Sequence, residues 1–107
     1  MDDATRDRIQ ALLDQHALVL FMKGTKHFPQ CGFSATAVEV LRRCAVDFHT
    51  VNVLEDPEIR QGIKEYGNWP TVPQLYVKGK LVGGSDILVE MFENGELASM
   101  VKEATAS

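Results

Sequence analysis

A chain of 107 residues, 45% hydrophobic and 24% charged, is long enough to form one domain with a modest core, and its composition excludes a disordered segment or a fibre. A formal net charge of −4 argues against a nucleic-acid footprint. The best apolar run, Ala17 to Met22, is far short of the roughly 20 residues a membrane span needs. Only two cysteines occur, Cys31 and Cys44, a scarcity that fits a reactive or a buried thiol in a reducing compartment rather than a disulfide framework. The opening "MDDATRDR" lacks the basic and apolar regions of a signal peptide, so the expected location is the cytoplasm, with a transit peptide already removed left open.

The elements alternate along the chain without repeats or linkers. Asp3 is placed as the cap of a first helix, with Ile9, Leu12 and Leu13 at helical spacing. "ALVLFM" reads as a buried strand ending at Lys23 and Gly24, and "GTKHFPQ" as the loop after it. A second helix starts near Cys31 or Gly32, with Ala37, Val40, Leu41 and Cys44 forming one apolar stripe. "DFHTVNV" is strand-like. Asp56-Pro57 then gives a sharp helix start, a capping carboxylate followed by proline at the first helical position. That helix turns Ile59, Ile63 and Tyr66 inward and stops at Gly67. "QLYVKGKLVGG" reads as two strands joined at Lys78-Gly79-Lys80. Ser85 or Asp86 caps the next helix, which runs to about Glu93. After Gly95 a last helix uses Leu97, Met100 and Val101 as its apolar face. This order predicts an α/β fold, a four-stranded mixed sheet with helices on both faces and a right-handed first βαβ unit.

Chemistry centres on "PQCGFS". A cysteine at the mouth of a helix meets unpaired backbone N–H groups and the positive end of the helix dipole, so the thiolate of Cys31 is favoured. Thiolate is both the nucleophile and the metal ligand, and Lys23 at the end of the preceding strand can add positive charge. The plainer alternative is a small apolar residue at a helix start. Cys44 lies on the apolar stripe, and thirteen residues of helix put its alpha carbon roughly 20 Å from that of Cys31, too far for a disulfide. Ser34 stands where a C-x-x-C site has its second sulfur, so a mixed disulfide on Cys31 needs an external thiol to resolve it. A zinc site using His27 and Cys31 at i, i+4 lacks further ligands, and His16 and His49 have no assigned partners.

Together "KGT…PQCGFS", "NWPTVPQLYV" and "GGSDI" resemble the monothiol glutaredoxins of the CGFS type, in order from Lys23 to Ile87. The resemblance implies a thioredoxin-like fold with a cis peptide before Pro73, leaving the Val72 backbone to pair with an extended ligand. It also implies a glutathione site. Lys23 and Arg60 would take the glycine carboxylate, with Lys64 one turn further on. The Val72 backbone would take the peptide, and Ser85 and Asp86 the γ-glutamyl end. Arg60 and Lys64 otherwise read as a solvated helix face, and Trp69 either packs beneath the site or fills core.

Such members are associated with a [2Fe–2S] cluster held between two subunits. Four thiolates are required, and Cys31 with one glutathione from each of two chains supplies them. The implied function is cluster assembly and transfer by a homodimer, with apo iron–sulfur proteins and a BolA-like protein as partners. The alternative is a weak enzyme, a glutathione-dependent disulfide oxidoreductase removing glutathione from proteins through Cys31 alone. A thioredoxin-fold interaction module without chemistry is a further reading, one that leaves the convergence of thiol, cations and acidic helix start to coincidence. Many relatives carry cysteine where this chain has Ser85, so a disulfide from that position to Cys31 is closed to it.

Overall fold

In the computed structural model, which describes residues 1–106, the elements follow as α1 (Asp3–Gln15), β1 (Leu18–Met22), α2 (Gly32–Arg43) and β2 (His49–Asn52). After a 3-10 turn (Val53–Glu55) come α3 (Pro57–Tyr66), β3 (Gln74–Val77), β4 (Lys80–Gly83), α4 (Ser85–Glu93) and α5 (Glu96–Thr105). The sheet order is β2-β1-β3-β4. β1 runs parallel to β2 and antiparallel to β3, with Leu20 opposite both Thr50 and Leu75.

The fully apolar "LVLFM" has no alternation because both faces of β1 are covered. Leu18, Leu20 and Met22 enter one core with Ala37, Leu41 and Cys44 of the α2 side and Leu88, Leu97 and Val101 from α4 and α5. Val19 and Phe21 enter the other, with Ile9 and Leu13 of α1 and Ile59 and Ile63 of α3. Two cores on one strand make a helix–sheet–helix sandwich.

Local signals explain most element ends, and several lie elsewhere than the sequence pattern indicates. Asp56 caps α3, its carboxylate accepting from the Ile59 N–H at 3.2 Å, with Pro57 in the first turn. The cap of α1 is Asp2 rather than Asp3: Asp2 accepts from the Thr5 N–H at 2.8 Å. β2 is shorter than "DFHTVNV": it starts at His49, and it stops before Val53 because the Asn52 side chain accepts from the Leu54 N–H at 3.0 Å and turns the chain into the 3-10 segment. Gly84, not Ser85 or Asp86, is the N-cap of α4, and no side chain caps that helix. On α5 the inward stripe is Leu97, Val101 and Ala104, leaving Met100 exposed.

Candidate active site

β1 delivers Lys23 and α2 delivers Cys31 to the same end of the sheet. The seven residues between them form a compact loop rather than a slack one. Gln30 N–H donates to the Lys23 carbonyl at 2.9 Å, and Thr25 and Phe28 exchange backbone hydrogen bonds at 3.2 and 3.1 Å. Lys26 Nζ reaches back to the Phe48 carbonyl at 2.6 Å and lies over the Phe48 ring. Gly24 makes the turn possible: its φ is +93°, and a Cβ there would stand 2.5 Å from the Phe28 carbonyl oxygen.

Cys31 is the N-cap of α2 and is partly exposed. No hydrogen bond of ordinary length joins its side chain to the helix end, yet its thiol titrates below the usual range. The backbone N–H of Ser34 is the leading cause; burial opposes it, and the Phe33 N–H, the Lys23 charge and the Ser34 hydroxyl add to it. Ser34 is itself fully buried, and its Oγ accepts from the Lys23 N–H at 3.0 Å. The residue in the place of a second thiol thus ties the end of β1 to the first turn of α2.

A cavity of about 420 Å³ opens beside Cys31, within the usual range for small-molecule sites. Lys23, Arg60 and Lys64 line it, together with Ser85 and Asp86 from the start of α4 and Trp69 and Val72 from the segment before β3. Arg60 and Lys64 sit one turn apart on α3, and neither forms an ion pair among the described residues. The Val72–Pro73 peptide is cis, and the Val72 N–H and C=O have no hydrogen-bond partner among the described residues. Unpaired backbone groups, cations and a helix start on one cavity are groups that can pair with an extended anionic peptide.

Cys31 and the candidates for the glutathione site, Lys23, Arg60, Lys64, Val72, Ser85 and Asp86, therefore line one cavity, and so does Trp69. Ser85 is buried as the first residue of α4, and Asp86 is exposed in the first turn of that helix. Sequence reasoning missed Phe33, Thr71 and Ile87 on the cavity wall. Phe33 lies one turn before Ala37, in line with the apolar stripe of α2. It is nevertheless 64% exposed where it lines the cavity, and Phe28 is 73% exposed on the loop before Cys31. The other candidates lie elsewhere. Cys44 is 1% exposed within the core. His27 faces the Arg42 guanidinium at 3.4 Å, and His16 and His49 stack on each other at 3.9 Å. No three His, Cys, Asp or Glu side chains among the described residues gather as a metal site. No helix among them is long and apolar enough to cross a membrane.

A mixed sheet in the order β2-β1-β3-β4, a thiol at the N-terminus of α2 and a cis-proline loop together define the thioredoxin-like fold. The glutaredoxin family model matches residues 18–82. An uncharacterised monothiol glutaredoxin of Synechocystis sp. is 53% identical over 107 residues, covering all of both chains. The solution structure of reduced poplar apo GrxS14 matches with a TM-score of 0.83 at 49% identity, over 95% of this chain and 94% of that one. A buckwheat glutaredoxin–glutathione complex shares the fold, with a TM-score of 0.84 at 23% identity over 96% and 92% of the two chains. The chain belongs to the glutaredoxin family, among its monothiol members.

Proposed function

We propose that this monothiol glutaredoxin binds glutathione in the cavity beside Cys31 and carries a [2Fe–2S] cluster, shared with a second copy of the chain, to apo iron–sulfur proteins. The observation that carries the reading is one thiolate-favouring cysteine opening onto a cavity with unpaired cations and an unpaired stretch of backbone. Lys23 and Arg60 suit the glycine carboxylate of glutathione, with Lys64 in support. The Val72 N–H and C=O suit its cysteinyl backbone, and Asp86 with the start of α4 suits the γ-glutamyl end.

A chain with one accessible thiol supplies one of the four thiolates such a cluster needs, so a second chain and two external thiols complete the set. Glutathione supplies thiolate sulfur when bound. Phe28 and Phe33, exposed on either side of Cys31, give apolar surface for the second copy, an apo-protein or a BolA-like partner to cover. Both cysteines are free, which suits work in the reducing cytoplasm.

The lowered Cys31 thiol also favours a second reading, removal of glutathione from mixed disulfides. Cys31 thiolate attacks the glutathionyl sulfur and the protein thiol leaves. A free glutathione thiolate then attacks the Cys31 adduct, releasing glutathione disulfide and regenerating the thiolate. Ser34 is no alternative resolver, because it lacks sulfur and its Oγ is engaged with Lys23 N–H.

Anaerobic reconstitution with iron, sulfide and glutathione, followed by absorption and sizing, separates the two readings. The carrier reading expects a coloured dimer that requires glutathione and disappears in Cys31→Ser. A colourless monomer that still reduces a glutathione mixed disulfide would overturn it and leave the reductase.

A further inference from the structure

β3 reads Gln74-Leu75-Tyr76-Val77, and the glutamine at its head is fully buried. Its Nε2 donates to the carbonyl of Trp69 at 3.0 Å and to that of Thr71 at 3.1 Å. Its Oε1 accepts from the Tyr76 hydroxyl at 3.0 Å. Chemistry fixes this orientation, since two carbonyls can only accept and must meet the NH2 group. Burial, and secondly Tyr66, holds the Tyr76 phenol protonated far above neutral pH, so it stays a donor.

The two carbonyls belong to the segment that lines the cavity, and Val72 follows Thr71 directly. Gln74 does not line the cavity itself. Space for the network comes from the turn after α3: a Cβ at Gly67 would lie 2.3 Å from the Tyr76 hydroxyl and 3.1 Å from Gln74 Oε1. A polar side chain in an apolar strand, with both ends of its amide satisfied, is held there by partners rather than by packing preference.

We propose that Gln74 is a positioning residue of the ligand site: by holding the Trp69 and Thr71 carbonyls from behind, it fixes the Val72 N–H and C=O where an extended tripeptide pairs with them. The assignment rests on the glutathione reading above. Without the amide, the segment has to be ordered at the moment of binding, and that ordering is subtracted from affinity. Cys31 is outside this chain of contacts, because its thiol is set by the first turn of α2 and by Lys23. Gln74 therefore governs ligand affinity without governing thiol reactivity.

Trp69 is the sole tryptophan, so its fluorescence reads the segment directly during titration with reduced glutathione. Gln74→Glu keeps the length of the side chain and the acceptor for Tyr76 but removes both donors. At about pH 7.5 it weakens glutathione binding about tenfold, the scale of buried carbonyls left unpaired. Near pH 5.5 part of the affinity returns, because the desolvated carboxyl regains a proton and donates to one carbonyl. Cys31 alkylation by iodoacetamide stays at the wild-type rate throughout.

Wild-type affinity in Gln74→Glu would overturn the assignment while leaving the glutathione reading intact. So would a loss of binding without recovery at low pH, accompanied by altered Cys31 alkylation, since that marks general disruption. No saturable response in the wild type would sink the glutathione reading and this assignment with it. Should Gln74→Glu fail to fold, Tyr76→Phe decides. It frees the amide to rotate and weakens binding about two- to threefold, and unchanged affinity there would refute the role.

Discussion

The two cysteines cap opposite ends of one helix, Cys31 at the N-terminus of α2 and Cys44 at its C-terminus, and they differ in every property that matters for chemistry. Cys31 is partly exposed and its thiol titrates below the usual range, chiefly through the backbone N–H of Ser34. Cys44 is buried against Leu41, Phe48 and Val101, and burial pushes its thiol up despite the charge of Lys102. One residue type, attached to one element, becomes a thiolate where the helix offers N–H groups and an inert apolar filler where it offers neither donors nor water. Position along the helix, not the presence of sulfur, makes the reactive centre.

The largest effect follows directly. Cys31→Ser should abolish alkylation by iodoacetamide at neutral pH, a loss of at least about 100-fold, because the remaining thiol is buried and protonated. Cys44→Ala should leave that rate unchanged. Alkylation of the wild type at Cys44, read by peptide mass mapping, would break the contrast. At the buried end the penalty is structural instead. Cys44→Ser puts a hydroxyl into an apolar cluster, and denaturant unfolding should show a loss of about 1–3 kcal/mol. The same serine at Cys31, in water, should cost far less.

Much of the frame was legible because independent local signals agreed. β1 is a short apolar run flanked by a helix and a glycine, and Asp56-Pro57 starts α3 by capping and by proline at once. Errors arose where one signal had two structural solutions. Leu97 with Met100 and Leu97 with Ala104 are both helical spacings, and only packing against the sheet chose the second. Gly84 and Ser85 are both acceptable caps, and the extended backbone at Gly84 took the role. The cavity was legible in a different way. Arg60 and Lys64 alone read as a solvated helix face, and their convergence with Asp86 from a separate helix came from the family resemblance, since no local pattern encodes which loops meet. Gln74 gave only a weak signal, one polar residue in an apolar strand, and its partners are backbone carbonyls that carry no side-chain signature.

A smaller effect sharpens the account of Cys31. Lys23 acts on the thiol only after the Ser34 amide and the Phe33 amide, so Lys23→Gln should slow alkylation at neutral pH by no more than about fivefold. Its backbone bond to Ser34 survives the substitution, since the N–H is the donor. A much larger drop would mean that charge, rather than the helix end, activates the cysteine. Added salt should reproduce part of the loss in the wild type and none in the variant.

The smallest effect sets the two ends against each other with opposite signs. An unfolded cysteine titrates at about pH 8.5. Cys31 is lower in the folded chain, so as pH rises from its folded value toward the unfolded one, the unfolded state binds more protons and stability increases. That contribution is complete above the unfolded value and is lost as pH falls through the folded one. Cys44 is raised, so its contribution is complete below the unfolded value. It is lost as pH climbs toward the folded one, because the unfolded thiol ionises first. Denaturant unfolding across the neutral to alkaline range should therefore show a rising arm that Cys31→Ser flattens and, at higher pH, a falling arm that Cys44→Ala flattens. If both variants flattened the same arm, the two thiols would share one environment, and helix position could not be what separates them.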